Sequence, residues 1–335
     1  MGNLILINNV MKIIGLFFSL MLIGHNACSW GFFGHKLINE HAVYLLPPGM
    51  MVLYKPNIGF LSEHAVDPDK RRYIVAAEGP RHYIDINHYG TYPYTHLPRY
   101  WPEAVEQFGE DSLLAHGIVP WWVYIIYGRL TRAFMERNKA DILKYSAELG
   151  HYIADAHVPL HATDNYNGQK TGQHGIHGLW ESRIPELLAH KEWDFFIGKA
   201  EYIKDPQNFI WNRVLESALA ADTVLRAERE VSLKFARDRK YAFEERNETI
   251  IRQYSAEFVM AYDKAMNHMV ERRMRLAIYS VASFWYTSWV NAGQPDLSTP
   301  AGAYLTSEEP EALKKINRDW KSQKPEAEVV LDCDD

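Results

Sequence analysis

The stretch Lys139-Ala-Asp-Ile142-Leu-Lys-Tyr145-Ser-Ala-Glu-Leu149-Gly-His151-Tyr152-Ile153-Ala-Asp155-Ala156-His157-Val-Pro159-Leu-His161 decides the fold class. Its larger apolar residues, Ile142, Tyr145, Leu149, Tyr152 and Ile153, recur every three or four positions, one stripe of an α-helix, and Pro159 stops the pattern. Outward from it the same period returns. Lys36 to Leu46 carries Leu37, Ile38, Ala42, Val43, Leu45 and Leu46 before Pro47-Pro48, which cannot continue a helix. The stretch 111–136 carries Trp121, Trp122, Ile125, Ile126, Leu130 and Phe134, and long helical patterns cover 208–236, 243–270 and 271–291. Strand-like alternation is scarce, so the expectation is an all-α fold, a single mostly helical domain over 30–292. A polar, Pro-containing tail is expected at 293–335. The segments 79–102 and 162–178 are long, irregular and rich in aromatic or polar residues, which in a compact domain marks functional loops.

Composition agrees with a globular chain: 335 residues, 47% hydrophobic and 23% charged. The formal net charge of −6 argues against a duplex binder held mainly by phosphate contacts. Lys12 precedes an apolar run over 13–23, the size of a signal-peptide core and too short to span a bilayer. Ala27 and Ser29 suit a cut before Trp30, so residues 1–29 read as a signal peptide, started at Met1 or Met11, and the protein as exported, periplasmic or secreted. The cut removes Cys28 and leaves Cys333 alone. An exported chain with one thiol has no internal disulfide and must be held by its core and by metal. Asn247-Glu248-Thr249 fits a glycosylation acceptor within an expected helix and carries little weight.

Two pairs, His151 with Asp155 and His177 with Glu181, are spaced i, i+4. On a helix that spacing puts both side chains on one face, about 5–6 Å apart at Cβ. Imidazole with carboxylate is a zinc ligand set. One such pair is often only a surface hydrogen bond; two pairs, with His161 just past a proline, point to a metal site.

The segment His151 to His161 resembles the core motif of the zinc-dependent phospholipase C and single-strand-specific nuclease superfamily. The likeness extends in order to Trp30-Gly-Phe-Phe-Gly-His35, to Asp67 fifteen residues before His82, and to His177 with its carboxylate at +4. It runs from about 30 to 290, strongest in these motifs, and is nearest to exported bacterial members. The resemblance implies three zinc ions in one cleft. Asp67, His82, His151 and Asp155 would hold the first, and His161, His177 and Glu181 the second. Trp30, through its freed α-amino group and carbonyl, would join His35 and Asp155 on the third. A hydroxide bridging two zincs would attack a phosphoester, with Asp67 and Asp155 as candidate catalytic carboxylates. Tyr83 and Asp85 would hold a base by stacking and hydrogen bonding; the alternatives are ordinary packing for Tyr83, and Arg81 or an imidazole as partner for Asp85.

His64 and Asp69 are alternative ligands beside Asp67, and His174 is the alternative to His177. His157 reads as a buried hydrogen-bonding residue, Trp121, Trp122, Trp285 and Trp289 as core, and Lys70-Arg71-Arg72 as a solvated run or a phosphate contact. The expected activity is phosphoester hydrolysis of the nuclease/3′-nucleotidase type on single-stranded nucleic acid or nucleotides, which Tyr83 and Asp85 favour. Glu181, where the nucleases carry Asp, weakly favours the alternative, a phospholipase C acting on phospholipid headgroups. A zinc-stabilised helical binding protein is the third reading. No obligate protein partner is evident.

Overall fold

The computed structural model describes residues 31–246 and 249–298. The chain is mostly helical, as the periodicity requires. Helices α1 (Gly31–Val43), α2 (Pro48–Tyr54), α3 (Ile58–Glu63) and α4 (Asp67–Arg72) come first. After an irregular stretch follow α5 (Trp101–Phe108), α6 (Glu110–Ala115), α7 (Val119–Met135) and α8 (Lys139–Asp155). The second half contains α9 (Ile176–Gly178), α10 (Ile184–Glu192), α11 (Pro206–Lys234), a two-stranded ribbon, α12 (Ala256–Ala265) and α13 (Met269–Asn291). No helix among the described residues is long and apolar enough to cross a membrane. The expected signal peptide, Trp30 and nearly all of the tail lie outside the described residues.

Helix α8 is the centre of the molecule. Asn138 caps it by accepting from the Asp141 amide, and every residue from Ser146 to Asp155 is buried. Helices α1, α7 and α13 pack around it, with Ile38, Leu149, Ile153, Ile278, Val281 and Trp285 in the shared core. Trp285 satisfies its indole N–H on the Ser146 carbonyl, and Tyr54 pairs with the Ser146 hydroxyl.

Gly150 lets α1 approach α8. A Cβ there would lie 1.9 Å from Asn39 Oδ1, and Asn39 is pinned by its amide donating to the Leu61 and Ala147 carbonyls. His35, one turn before Asn39, is thereby brought to stack on His151, with ring centroids 3.9 Å apart. Gly150→Ala is expected to cost about 3 kcal/mol, because the pinned neighbour cannot move aside. A lowered denaturant midpoint with an unchanged slope would verify it.

The C-terminal end of α8 needs partners for its last carbonyls. Ser217 of α11 donates to the Ala156 carbonyl and the buried Arg273 of α13 to that of His157. These bonds fix the turn that carries the chain to His161. His157 is fully buried and bonds Ile153 and Ser280, the structural role expected of it.

Two local expectations are corrected. The pattern at 111–136 is two helices, because Gly117 adopts φ +83° and a Cβ there would strike the Tyr83 carbonyl at 2.3 Å. The segment 243–270 is not one helix: β1 (Tyr241–Arg246) and β2 (Thr249–Tyr254) pair antiparallel, with Phe243 opposite Arg252, before α12 begins. The run Thr249-Ile250-Ile251 and the flanking aromatics suit a pleated surface, and the mixed charges among them imitate helical spacing. Asn247 and Glu248, of the acceptor motif, lie outside the described residues.

Candidate metal centre

Helix α8 offers His151 and Asp155 from one face, with Nε2 and Oδ2 3.3 Å apart. His82, just after a 3-10 turn at Ala76–Arg81, turns its Nδ1 to the same point, 3.0 Å from Asp155 and 2.9 Å from His151 Nε2. From α1, His35 Nε2 lies 3.3 Å from the other oxygen of Asp155. Asp69, from α4, completes the group at 3.7 Å from His82 and 3.6 Å from His151. All five residues are buried.

A second group stands beside them. His161 lies on the 3-10 turn Pro159–Ala162, started by its proline. His177 and Glu181 come from α9 and the π-helical turn Leu179–Arg183 that follows it. A wide turn of that kind is frequent at functional sites. The Asn167 side-chain oxygen accepts from the Gly175 and His177 amides and so holds the start of α9. Glu181 Oε2 is 2.9 Å from His177 and 3.5 Å from His161.

These positions fit metal ions. Ligand atoms about 2.0–2.1 Å from a tetrahedral zinc stand about 3.3–3.4 Å from one another, and the separations above run from 2.9 to 3.7 Å. Three sets, His35 with Asp69 and His151, His82 with His151 and Asp155, and His161 with His177 and Glu181, each bring their ligand atoms within 4.8 Å. Both oxygens of Asp69, His161 Nε2, His177 Nδ1 and Glu181 Oε1 are buried without a hydrogen-bond partner. Such atoms are costly unless something binds them. Backbone carbonyls set the tautomers: His151 Nδ1 donates to Ala65 and His161 Nδ1 to His82, leaving each Nε2 for the cluster.

The electrostatics are those of carboxylates and imidazoles crowded together away from water. Burial raises the Asp69 pKa to about 8, opposed by His35 and reinforced by the nearby Asp155. Burial opposes ionisation of Asp155 too, but His151 and His161 hold it well below the usual carboxylate range. Burial lowers His82 to about 3. For His161 burial is outweighed by Asp155 and Glu181, which raise it to about 9.

The structure does not bring Asp67, expected in the first ligand set, to the cluster. Its carboxylate is held by His64 at 2.7 Å and Lys70 at 3.2 Å, away from the three sets. Positions two apart on a helix point about 200° away from each other, so of Asp67 and Asp69 only one reaches His82 and His151. That residue is Asp69, thirteen positions before His82, and not Asp67 at fifteen. Asp69→Asn is expected to lower zinc content measured by elemental analysis after dialysis, whereas Asp67→Asn leaves it unchanged; the reverse result would restore Asp67.

Trp30 lies outside the described residues, so the α-amino ligand is not described. Tyr83 is half-buried, and its carbonyl accepts from the Val119 amide. Asp85 sits 3.5 Å from His116, whose ring stacks on the exposed His88 with centroids 3.4 Å apart; its partner is thus an imidazole, not Arg81. Arg81 instead bonds Glu78 and lies 3.9 Å over the Trp122 ring. His174 is exposed and outside the three sets. Trp121 and Trp285 are core, as expected.

No protein-family model matches the chain, and no curated protein matches it significantly. The site therefore rests on its own residues. Sequence reasoning overlooked Glu78, fully buried and four residues before His82, the spacing that marks the other pairs. It also left the basic run undivided. Lys70 is spent on Asp67, and Arg71 on Glu78, Glu148 and Tyr152. Arg72 makes no hydrogen bond or ion pair among the described residues and is half-buried, one turn from Asp69 and close enough to act on its charge and that of His82.

Proposed function

We propose that this protein is an exported zinc-dependent hydrolase of phosphoester bonds, a nuclease/3′-nucleotidase-type phosphodiesterase acting on single-stranded nucleic acid or nucleotides, with three zinc ions. The observation that carries the reading is the convergence of His35, Asp69, His82, His151, Asp155, His161, His177 and Glu181 in two adjoining buried groups. Trp30 would add the ninth ligand. Zinc in these groups would supply a Lewis acid for a phosphoryl oxygen and lower the pKa of water toward about 7.

The remaining roles fall to the chain. A phosphodiester repels nucleophiles through its anionic oxygens, and the uncommitted Arg72 guanidinium suits a charge-assisted, bidentate grip on them. Asp85 and its His116–His88 stack offer hydrogen bonding and a flat ring surface to a base; a base on an aromatic ring is worth about 1–3 kcal/mol. Tyr83 adds its ring from the same segment. Asp67, committed to His64 and Lys70, leaves the catalytic role, and Asp155 keeps its own as the carboxylate shared among the imidazoles of the first group.

One observation favours the phospholipase C reading as the second. The ribbon is tied to the segment of the second group, Arg183 to Glu244 and to the Tyr254 carbonyl, and Tyr254 to the His174 carbonyl. It exposes Phe243 at 76% and Ile250 at 74%, an apolar rim of the kind a lipid surface accepts.

The test is a parallel assay of the chain from Trp30 on single-stranded DNA, RNA, 3′-nucleotides and phosphatidylcholine. EDTA-sensitive cleavage of nucleic acid or nucleotide is expected. Phosphocholine release alone would replace the first reading with the second. Turnover of neither, with zinc bound, would leave a helical binding protein. Arg72→Ala is expected to lower kcat/KM about 10–100-fold with unchanged zinc content, the loss of one charged hydrogen-bonding partner; an unaltered rate would remove Arg72 from the substrate site.

A further inference from the structure

Behind His82, on the side away from the metal groups, lies a second layer of charge. Glu78 is fully buried, yet its carboxylate has three donors: Oε1 accepts from Tyr152, and Oε2 from Arg71 at 3.2 Å and Arg81 at 2.7 Å. Arg71 is held in turn by Glu148 at 2.7 Å and by the Tyr152 hydroxyl at 3.1 Å. Tyr152 adjoins His151 on α8, so the network is built on the same helix as the cluster. Glu78 Oε1 is 3.7 Å from His82 Nε2, within ion-pair reach, and that nitrogen is buried with no hydrogen-bond partner. The opposite nitrogen, Nδ1, faces Asp155 and His151.

We infer that Glu78 is a positioning residue which keeps the proton of His82 on Nε2 and so commits Nδ1 to the metal. The inference rests on the zinc reading above and deepens it. The other imidazoles of the cluster with an assigned backbone partner, His151 and His161, donate Nδ1–H to a neutral carbonyl and present Nε2. His82 is reversed, and its outward nitrogen faces a carboxylate. An imidazole whose N–H faces a carboxylate is a more basic ligand and is fixed in tautomer and ring angle. The two arginines and the tyrosine hold the carboxylate where the ring needs it, so the network serves the ligand and not only the fold.

The experiment is zinc titration of the chain from Trp30 against a chromophoric chelator, with melting of the metal-free protein measured beside it. Glu78→Gln is expected to weaken the tightest zinc about 10–100-fold. Glu148→Gln, which removes a carboxylate from the same arginine without facing His82, is expected to lower the metal-free melting temperature and leave zinc affinity unchanged. Glu78→Asp is expected to recover part of the affinity. Equal weakening by Glu78→Gln and Glu148→Gln would reduce Glu78 to a structural role. Unchanged affinity in Glu78→Gln would overturn the inference while leaving the zinc reading intact, and absence of zinc from the wild type would defeat that reading itself. Should Glu78→Gln not fold, the ¹⁵N shifts of His82 in the zinc-loaded wild type decide: a proton on Nε2 is expected, and a metal on Nε2 would overturn the assignment.

Discussion

Asp155→Asn is expected to remove zinc from the first group and to lower phosphoester hydrolysis by about 10³-fold or more, some 4 kcal/mol at the transition state. Asp155 is in contact with three imidazoles, His35 at 3.3 Å, His82 at 3.0 Å and His151 at 3.3 Å, and its two oxygens face different members of the set. An amide keeps the shape and the volume but not the charge, and its nitrogen cannot accept where an oxygen did. The surrounding histidines would then hold a cation with only Asp69 to neutralise it. Glu181→Gln is expected to remove only the ion of the second group. Elemental analysis of the two variants, beside single-turnover hydrolysis, separates the roles. Full zinc content and wild-type turnover in Asp155→Asn would sink the reading of this carboxylate as the shared ligand.

Metal removal is expected to produce the second large effect, and its size depends on pH. The folded metal-free protein holds Asp69 protonated up to about 8, against an ordinary 3.8, and His161 protonated up to about 9, against 6.5. Between pH 6.5 and 9 the folded chain therefore binds more protons at these two sites than the unfolded chain. Stability of the metal-free protein must fall as pH rises through that window. His82, lowered to about 3, acts with opposite sign but only below 6.5. Bound zinc would reverse the loss, because it would take the place of those protons. The melting temperature of the loaded protein is expected to exceed that of the EDTA-treated protein by about 10 °C, from a binding contribution of about 4 kcal/mol at a thousandfold excess over Kd. The gap should widen from pH 6.5 to pH 9, and zinc uptake should release protons, read as a buffer-dependent heat in calorimetry. A gap that narrows with rising pH would contradict the assignment of these two groups.

What could be read in the linear chain was whatever depends on local repetition. The stripe through Ile142, Leu149 and Ile153 determined an α-helix, and helices at this density left an all-α architecture. The i, i+4 spacings of His151 with Asp155 and of His177 with Glu181 determined two imidazole–carboxylate pairs, since helical geometry fixes such neighbours without reference to the rest of the fold. The structure brings both pairs together at 3.3 and 2.9 Å.

Tertiary structure decided what depends on direction. Asp67 and Asp69 are two residues apart and equivalent as a pattern; only the orientation of α4 against α8 turns one to the cluster and the other to His64. Lys70, Arg71 and Arg72 are one run of charge, and only packing commits the first two to carboxylates and leaves Arg72 uncommitted. The ribbon at 241–254 escaped notice because its side chains pair across strands and not along one. The approach that stacks His35 on His151 depends on a missing Cβ at Gly150, more than a hundred residues away in the chain. Local periodicity determines which residues share a face; only the packing of one face against another determines which of them meet.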